Sequence, residues 1–92
     1  MANATMAEIA ELGRLKGREL FQAFEKTIEP YGDAIPEAVG DKFTAWRDYE
    51  IQTCELALMD AGMSQAELEC WGKALQDEFN RNTAAGPGGA KL

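Results

Sequence analysis

Glu50 is the side chain best placed for acid–base work in this chain of 92 residues. Wound as a helix, residues 36–61 gather Val39, Phe43, Trp46, Cys54, Ala57, Leu58 and Ala61 on one stripe, and Glu50 projects near its middle with Arg47 at its edge. A carboxylate among apolar groups has its charged form disfavoured, and a raised pKa is what a general acid or base at neutral pH needs. The competing reading is an ion pair, to Arg47 or to Lys16, which also falls inside an apolar stripe on the preceding helix. We expect the pair, because one carboxylate without a second, a metal or a histidine makes a poor active site. The chain has no histidine at all. That removes Ser–His and Cys–His nucleophile pairs, the commonest general base and the usual nitrogen ligands of metals.

The remaining reactive side chains have structural explanations. Ser64 is the only serine, and Ser64-Gln65-Ala66-Glu67 reads as a capping box, in which the hydroxyl accepts from the backbone N–H three residues on while Glu67 reaches back. Cys54 and Cys70 stand sixteen residues apart, without the C-x-x-C spacing of zinc or thioredoxin-type redox sites, and are expected as reduced thiols. Gly86-Pro87-Gly88-Gly89 precedes neither a strand nor a helix, so it is no phosphate-cradling loop. The expectation is a non-enzymatic protein with no catalytic, cofactor-binding or metal-binding residues and no cofactor.

The elements that would position these groups are helices. Met6, Ile9, Leu20, Phe24 and Ile28 share one face when residues 4–29 are wound at helical pitch. Gly13 and Gly17 lie on or beside that face, where each glycine costs a helix about 1 kcal/mol relative to alanine. Close packing of another helix, or a bend, would account for them. Pro30, Gly32-Asp33 and Pro36 break the pattern, and Pro36 suits the first position of a second helix, over 36–61, stopped by Gly62, with a break at Gly40 and a restart at Asp41 as the alternative. The capping box opens a third helix over 65–81, with Leu68, Trp71, Gly72, Leu75 and Phe79 on one face. No segment alternates as a strand would and no repeat is visible. The fold expected is all-α, a three-helix bundle over residues 1–82, followed by a flexible glycine-rich tail over 83–92.

Charge points to a surface function. The chain carries a formal charge of −7, which would repel a free duplex. Residues 30–63 concentrate it, with seven acidic and two basic side chains. Within them Asp41, Asp48 and Glu55 recur every seven residues and so line one side of helix 2, with Tyr49, Leu56 and Met59 beside them. A merely solvated face needs charge but not a Leu, a Met and a Tyr, and interface cores favour aromatics and Met. We therefore expect these six residues to bind a larger protein with a basic surface. Plain burial of both sides of helix 2 and a homodimer seam, there or along the Gly13/Gly17 groove, are the competing explanations. Arg14, Lys16 and Arg18 form the only basic cluster and read as a solvated helix face. The N-terminus lacks the basic start and apolar run of a signal peptide, and no stretch reaches the apolar length of a membrane helix, so a cytoplasmic setting is expected.

Asp60-Ala61-Gly62-Met63-Ser64-Gln65-Ala66-Glu67-Leu68 resembles the opening of the helix-turn-helix of phage-repressor-like DNA-binding domains, where a Gly-x-Ser-Gln turn starts a helix that ends in a second turn. The resemblance covers nine residues. It implies a DNA-binding regulator, but the pattern from Cys70 to Phe79 continues helical and lacks the basic residues of a recognition helix. It is read here as shared capping chemistry, with no direct nucleic-acid contact expected. The functional expectation is a regulator, adaptor or inhibitor acting through helix 2. Small acidic phage-encoded inhibitors of host nucleic-acid machinery offer the analogy, and a homodimeric structural subunit of a larger assembly is the alternative.

Overall fold

The computed structural model describes residues 4–85. Three α-helices follow in order: α1 (Met6–Ile28), α2 (Glu37–Asp60) and α3 (Gln65–Ala85), with one 3₁₀ turn, Glu29–Tyr31, after α1. Residues 1–3 and the part of the expected tail from 86 onward lie outside the described residues.

Two of the three helices begin with the same device. At α3 the Glu67 N–H donates to Ser64 Oγ over 3.2 Å and the Ser64 N–H to Glu67 Oε1 over 2.8 Å. Thr5-Met6-Ala7-Glu8 repeats this at α1, with distances of 3.1 and 2.8 Å. α2 begins one residue later than expected. Pro36, in extended conformation, is its N-cap and makes no side-chain cap bond. Its end is a full Schellman motif: Gly62 takes φ 101°, its N–H reaches the Met59 carbonyl, and the Met63 N–H reaches the Leu58 carbonyl. Met63 is thereby turned into the core.

α3 runs past its expected end at residue 81. Asn82 Nδ2 donates to the Glu78 carbonyl and Thr83 Oγ1 to the Phe79 carbonyl, so side chains beyond the expected end bond back along the helix. Residues 83–85 are therefore helix rather than tail.

α1 and α3 pack directly against each other, and the glycines show how. A Cβ at Gly13 would collide with the Trp71 carbonyl oxygen, and one at Gly17 would stand 2.6 Å from that of Leu75. A step of four along α1 matches a step of four along α3, so the two helices run parallel. Close helix crossing accounts for both glycines. It also means that α3 of the same chain fills the groove considered above as a seam between two copies.

α2 runs back antiparallel across this pair. Its Phe43 meets Phe24 and Phe79 with ring centroids 5.1 and 6.3 Å apart, and Phe21 joins them to form an aromatic cluster. Ile9, Leu20, Met63, Leu68, Trp71 and Leu75 complete the core. The stripe expected on α2 is only partly used. Phe43 is its one buried residue, Val39, Cys54 and Leu58 are half-buried, and Ala57, Ala61 and Trp46 stay exposed. The reason lies in the glycine crossing: two helices that close on each other leave only a shallow groove, and a third helix laid over it buries a narrow line.

Candidate functional site

The outward side of α2 is open. Tyr49, Leu56 and Met59 are 64, 58 and 53% exposed, which excludes plain burial of both sides of this helix. Asp41 and Asp48 are exposed as well, and Glu55 is half-buried.

Three of the six expected residues come together in one concavity. Glu55, Leu56 and Met59, with Gln52, form one wall of a groove of about 360 Å³. The other wall comes from α3: Gln65, Leu68, Glu69 and Gly72. Asp41 and Asp48 continue the acidic line along α2 beyond this groove, and Tyr49 does not line it. Of the α3 wall, the sequence reading named Leu68 and Gly72 as part of an apolar face and gave Gln65 and Glu69 no role. Gln65 and Glu69 lie on a polar side of α3 that becomes a wall only once α2 lies beside it, next to Leu68 and Gly72 at the edge of the expected apolar face.

The charges around this groove are unevenly matched. Asp48 accepts from Arg47 at 3.3 Å, and the Arg47 guanidinium lies 5.1 Å from the centre of the Phe79 ring. Among the described residues, Glu69 accepts only a hydrogen bond from Gln65, and Glu55 has no ion pair.

Glu50 does not face Arg47. It lies 3.7 Å from Lys16, which also holds Glu19 at 2.8 Å. Burial disfavours the Lys16 ammonium, but the hydrogen bond to Glu19 and the nearby charges of Glu19 and Glu50 help to outweigh it and raise its pKa. The carboxylate is thus the paired one of the two readings.

A second apolar hollow, of about 390 Å³, lies where α1 meets α2. Leu12 and Leu15 line it and remain exposed, opposite Ala57, Leu58 and Trp71. The charged groups at its rim, Lys16 and Glu19, are paired with each other.

Glu78 is a buried carboxylate that the sequence reading passed over. It is 3% exposed, beside the α1–α3 crossing, and accepts from Arg81 at 2.7 Å, Asn82 at 3.1 Å and Arg18 at 3.5 Å. The Arg81 hydrogen bond, helped by Asn82 and Arg18, overcomes burial and holds its pKa below the ordinary value. With three donors it is structurally satisfied. Its register was the available signal, since position 78 follows Ala74 and Leu75 onto the side of α3 that meets Gly17.

Among the described residues no three Cys, Asp or Glu side chains converge as a metal site would require, and no helix is long and apolar enough to cross a membrane. After Ser64, α3 continues unbroken to Ala85, without the second turn of a helix-turn-helix. No family model matches the chain, no curated protein is significantly similar to it, and no solved structure resembles it at a significant level.

Proposed function

We propose that this chain is a non-enzymatic protein-binding module that presents the outward side of α2 to a larger, basic partner, as a regulator, adaptor or inhibitor. One observation carries the reading: Tyr49, Leu56 and Met59 stay more than half exposed beside Asp41, Asp48 and Glu55. A contiguous exposed apolar patch rimmed by polar side chains is the signature of an interaction site. Partner capture from a lysate of the native host tests it, with wild type compared against Asp41→Lys/Asp48→Lys/Glu55→Lys. The triple variant should lose the captured protein and keep its helical circular dichroism; undiminished capture sinks the reading.

A homodimer is the second reading, and it has its own observation. Leu12 and Leu15 stay exposed in the α1–α2 hollow with its rim charges already paired, which suits an apolar seam. Light scattering at tens of micromolar decides it. A dimer that Leu15→Glu dissolves supports this seam, and a monomer removes it.

A further inference from the structure

We propose that the groove between α2 and α3 is the seat of a cationic amphipathic helix, supplied by the partner protein, with one of its apolar side chains lodged over Gly72. The inference rests on the reading of α2 as a protein-binding face and adds the class of partner and the place where it sits.

Gly72 gives the groove its depth. It stands in the third turn of a 21-residue helix, where glycine costs about 1 kcal/mol relative to alanine. At Gly13 and Gly17 the close approach of α3 explains that cost. At Gly72 a Cβ would meet nothing within 4 Å, so packing among the described residues gives no reason for a glycine. What its bare backbone does is leave a shallow seat beside Leu68. Leu56 and Met59 stand exposed on the facing wall, and a methionine adapts its flexible thioether to whatever is laid against it.

The charges choose the occupant. Glu55 on one wall and Glu69 on the other flank the apolar floor, and neither is in an ion pair among the described residues. Asp48 and Asp41 extend the α2 side at seven-residue steps, about 10.5 Å each along a helix. Lysines or arginines on both edges of an apolar helical stripe meet this arrangement, in the manner of a helix lying in a groove. A second copy of this chain fits poorly. Two-fold pairing would set like charges of Glu55 and Glu69 together, and Arg14, Lys16, Arg18, Arg47, Lys73 and Arg81 are already engaged in ion pairs. Among the described residues Lys26 and Lys42 are in none, but both stand by the turn between α1 and α2, at the other end of α2 from this groove. An anionic partner, nucleic acid included, would be repelled.

The test uses the full chain, isotope-labelled, and a synthetic peptide of about 18 residues made of leucine and lysine, with Leu at i, i+3, i+4 and i+7. Saturable one-to-one binding is expected, with amide shifts confined to 52–59 and 65–72. The same peptide with glutamate for lysine should not bind. Gly72→Leu should weaken binding roughly tenfold, as should Glu55→Lys/Glu69→Lys. Gly72→Ala provides the control for folding: its Cβ meets open space, so its melting temperature should equal or exceed that of wild type while binding falls. Absence of saturable binding, or wild-type affinity in Gly72→Leu, overturns the proposal. Shifts centred on Tyr49 overturn the groove and leave the α2 reading standing, whereas lysate capture that survives reversal of Asp41, Asp48 and Glu55 removes the broader reading whatever the peptide does.

Discussion

Gly13 on α1 faces the backbone carbonyl of Trp71 on α3 with no room for a Cβ between them, and Gly17 repeats the relationship with Leu75 one turn later. Backbone-to-backbone approach of this kind permits Cα–H···O contacts between helices, each a weak attraction. It joins α1 and α3 into a parallel pair and leaves α2 lying over them. The exposed side of α2 and the groove beside it follow from that geometry.

The two classes of glycine should therefore respond in opposite directions. Gly13→Ala or Gly17→Ala gains about 1 kcal/mol of helix propensity but drives a methyl into a carbonyl, and overpacking costs typically about 1–3 kcal/mol. Because backbone cannot swing aside as a side chain can, a net loss is expected. It should appear as a fall in melting temperature of about 4–8 °C per kcal/mol in a domain of this size. Alanine at Gly72 should raise the melting temperature. Thermal circular dichroism of the three variants, side by side, checks the contrast.

Glu78 makes stability depend on acid. Its pKa is lowered in the folded chain by Arg81, Asn82 and Arg18, so across the carboxylate range the unfolded chain binds the extra proton. Stability from this group is complete above the ordinary glutamate pKa and is lost as pH falls through the lowered folded value. Melting curves of the wild type should shift down over that interval. In Glu78→Gln the shift should shrink, and the variant should be less stable than wild type at neutral pH because Arg81 loses its anionic partner and Arg18 keeps only Glu11. An unchanged acid dependence would remove Glu78 as its source.

Much of this architecture was legible in the sequence, and the misses share a cause. Ser64 and Glu67 announced α3, Gly62 announced the end of α2, and Leu68, Trp71, Leu75 and Phe79 were read as the buried face that they are. These signals are local or strictly periodic. The Thr5–Glu8 box was equally local and simply went unread. On α2, apolar residues occur on both sides, so periodicity alone could not tell that Phe43 goes in while Trp46 stays 42% exposed. That choice is made by how closely α1 and α3 approach. The polar part of the α3 wall of the groove was illegible for the same reason: Gln65 and Glu69 gain a role only from Leu56 and Met59 across from them.

The capping boxes allow a direct comparison of the two parallel helices. Thr5→Ala and Ser64→Ala each remove one acceptor for an orphan N–H, at a cost of about 1 kcal/mol. Ser64 also follows the Schellman turn that buries Met63, so its loss loosens the α2–α3 connection. Amide exchange should quicken around 65–68 in Ser64→Ala and around 6–9 in Thr5→Ala. Equal, chain-wide quickening in both would mean that the caps govern global rather than local opening.

Glu50 began as the side chain best suited to chemistry, and its pairing makes a specific prediction about what it does instead. Both partners are part-exposed, and the 3.7 Å separation to Lys16 is longer than the 2.8 Å that Lys16 keeps to Glu19. A pair of this kind contributes about 0–1 kcal/mol. Glu50→Gln should cost that much at most, since Lys16 retains Glu19. Glu50→Leu should be neutral or stabilising, because position 50 faces the apolar side of α2 and a leucine there replaces a weak pair with burial. Urea unfolding of the two variants measures this. A loss of several kcal/mol in Glu50→Leu would mean that the carboxylate is held by more than Lys16, and would reopen its assignment as a purely structural group.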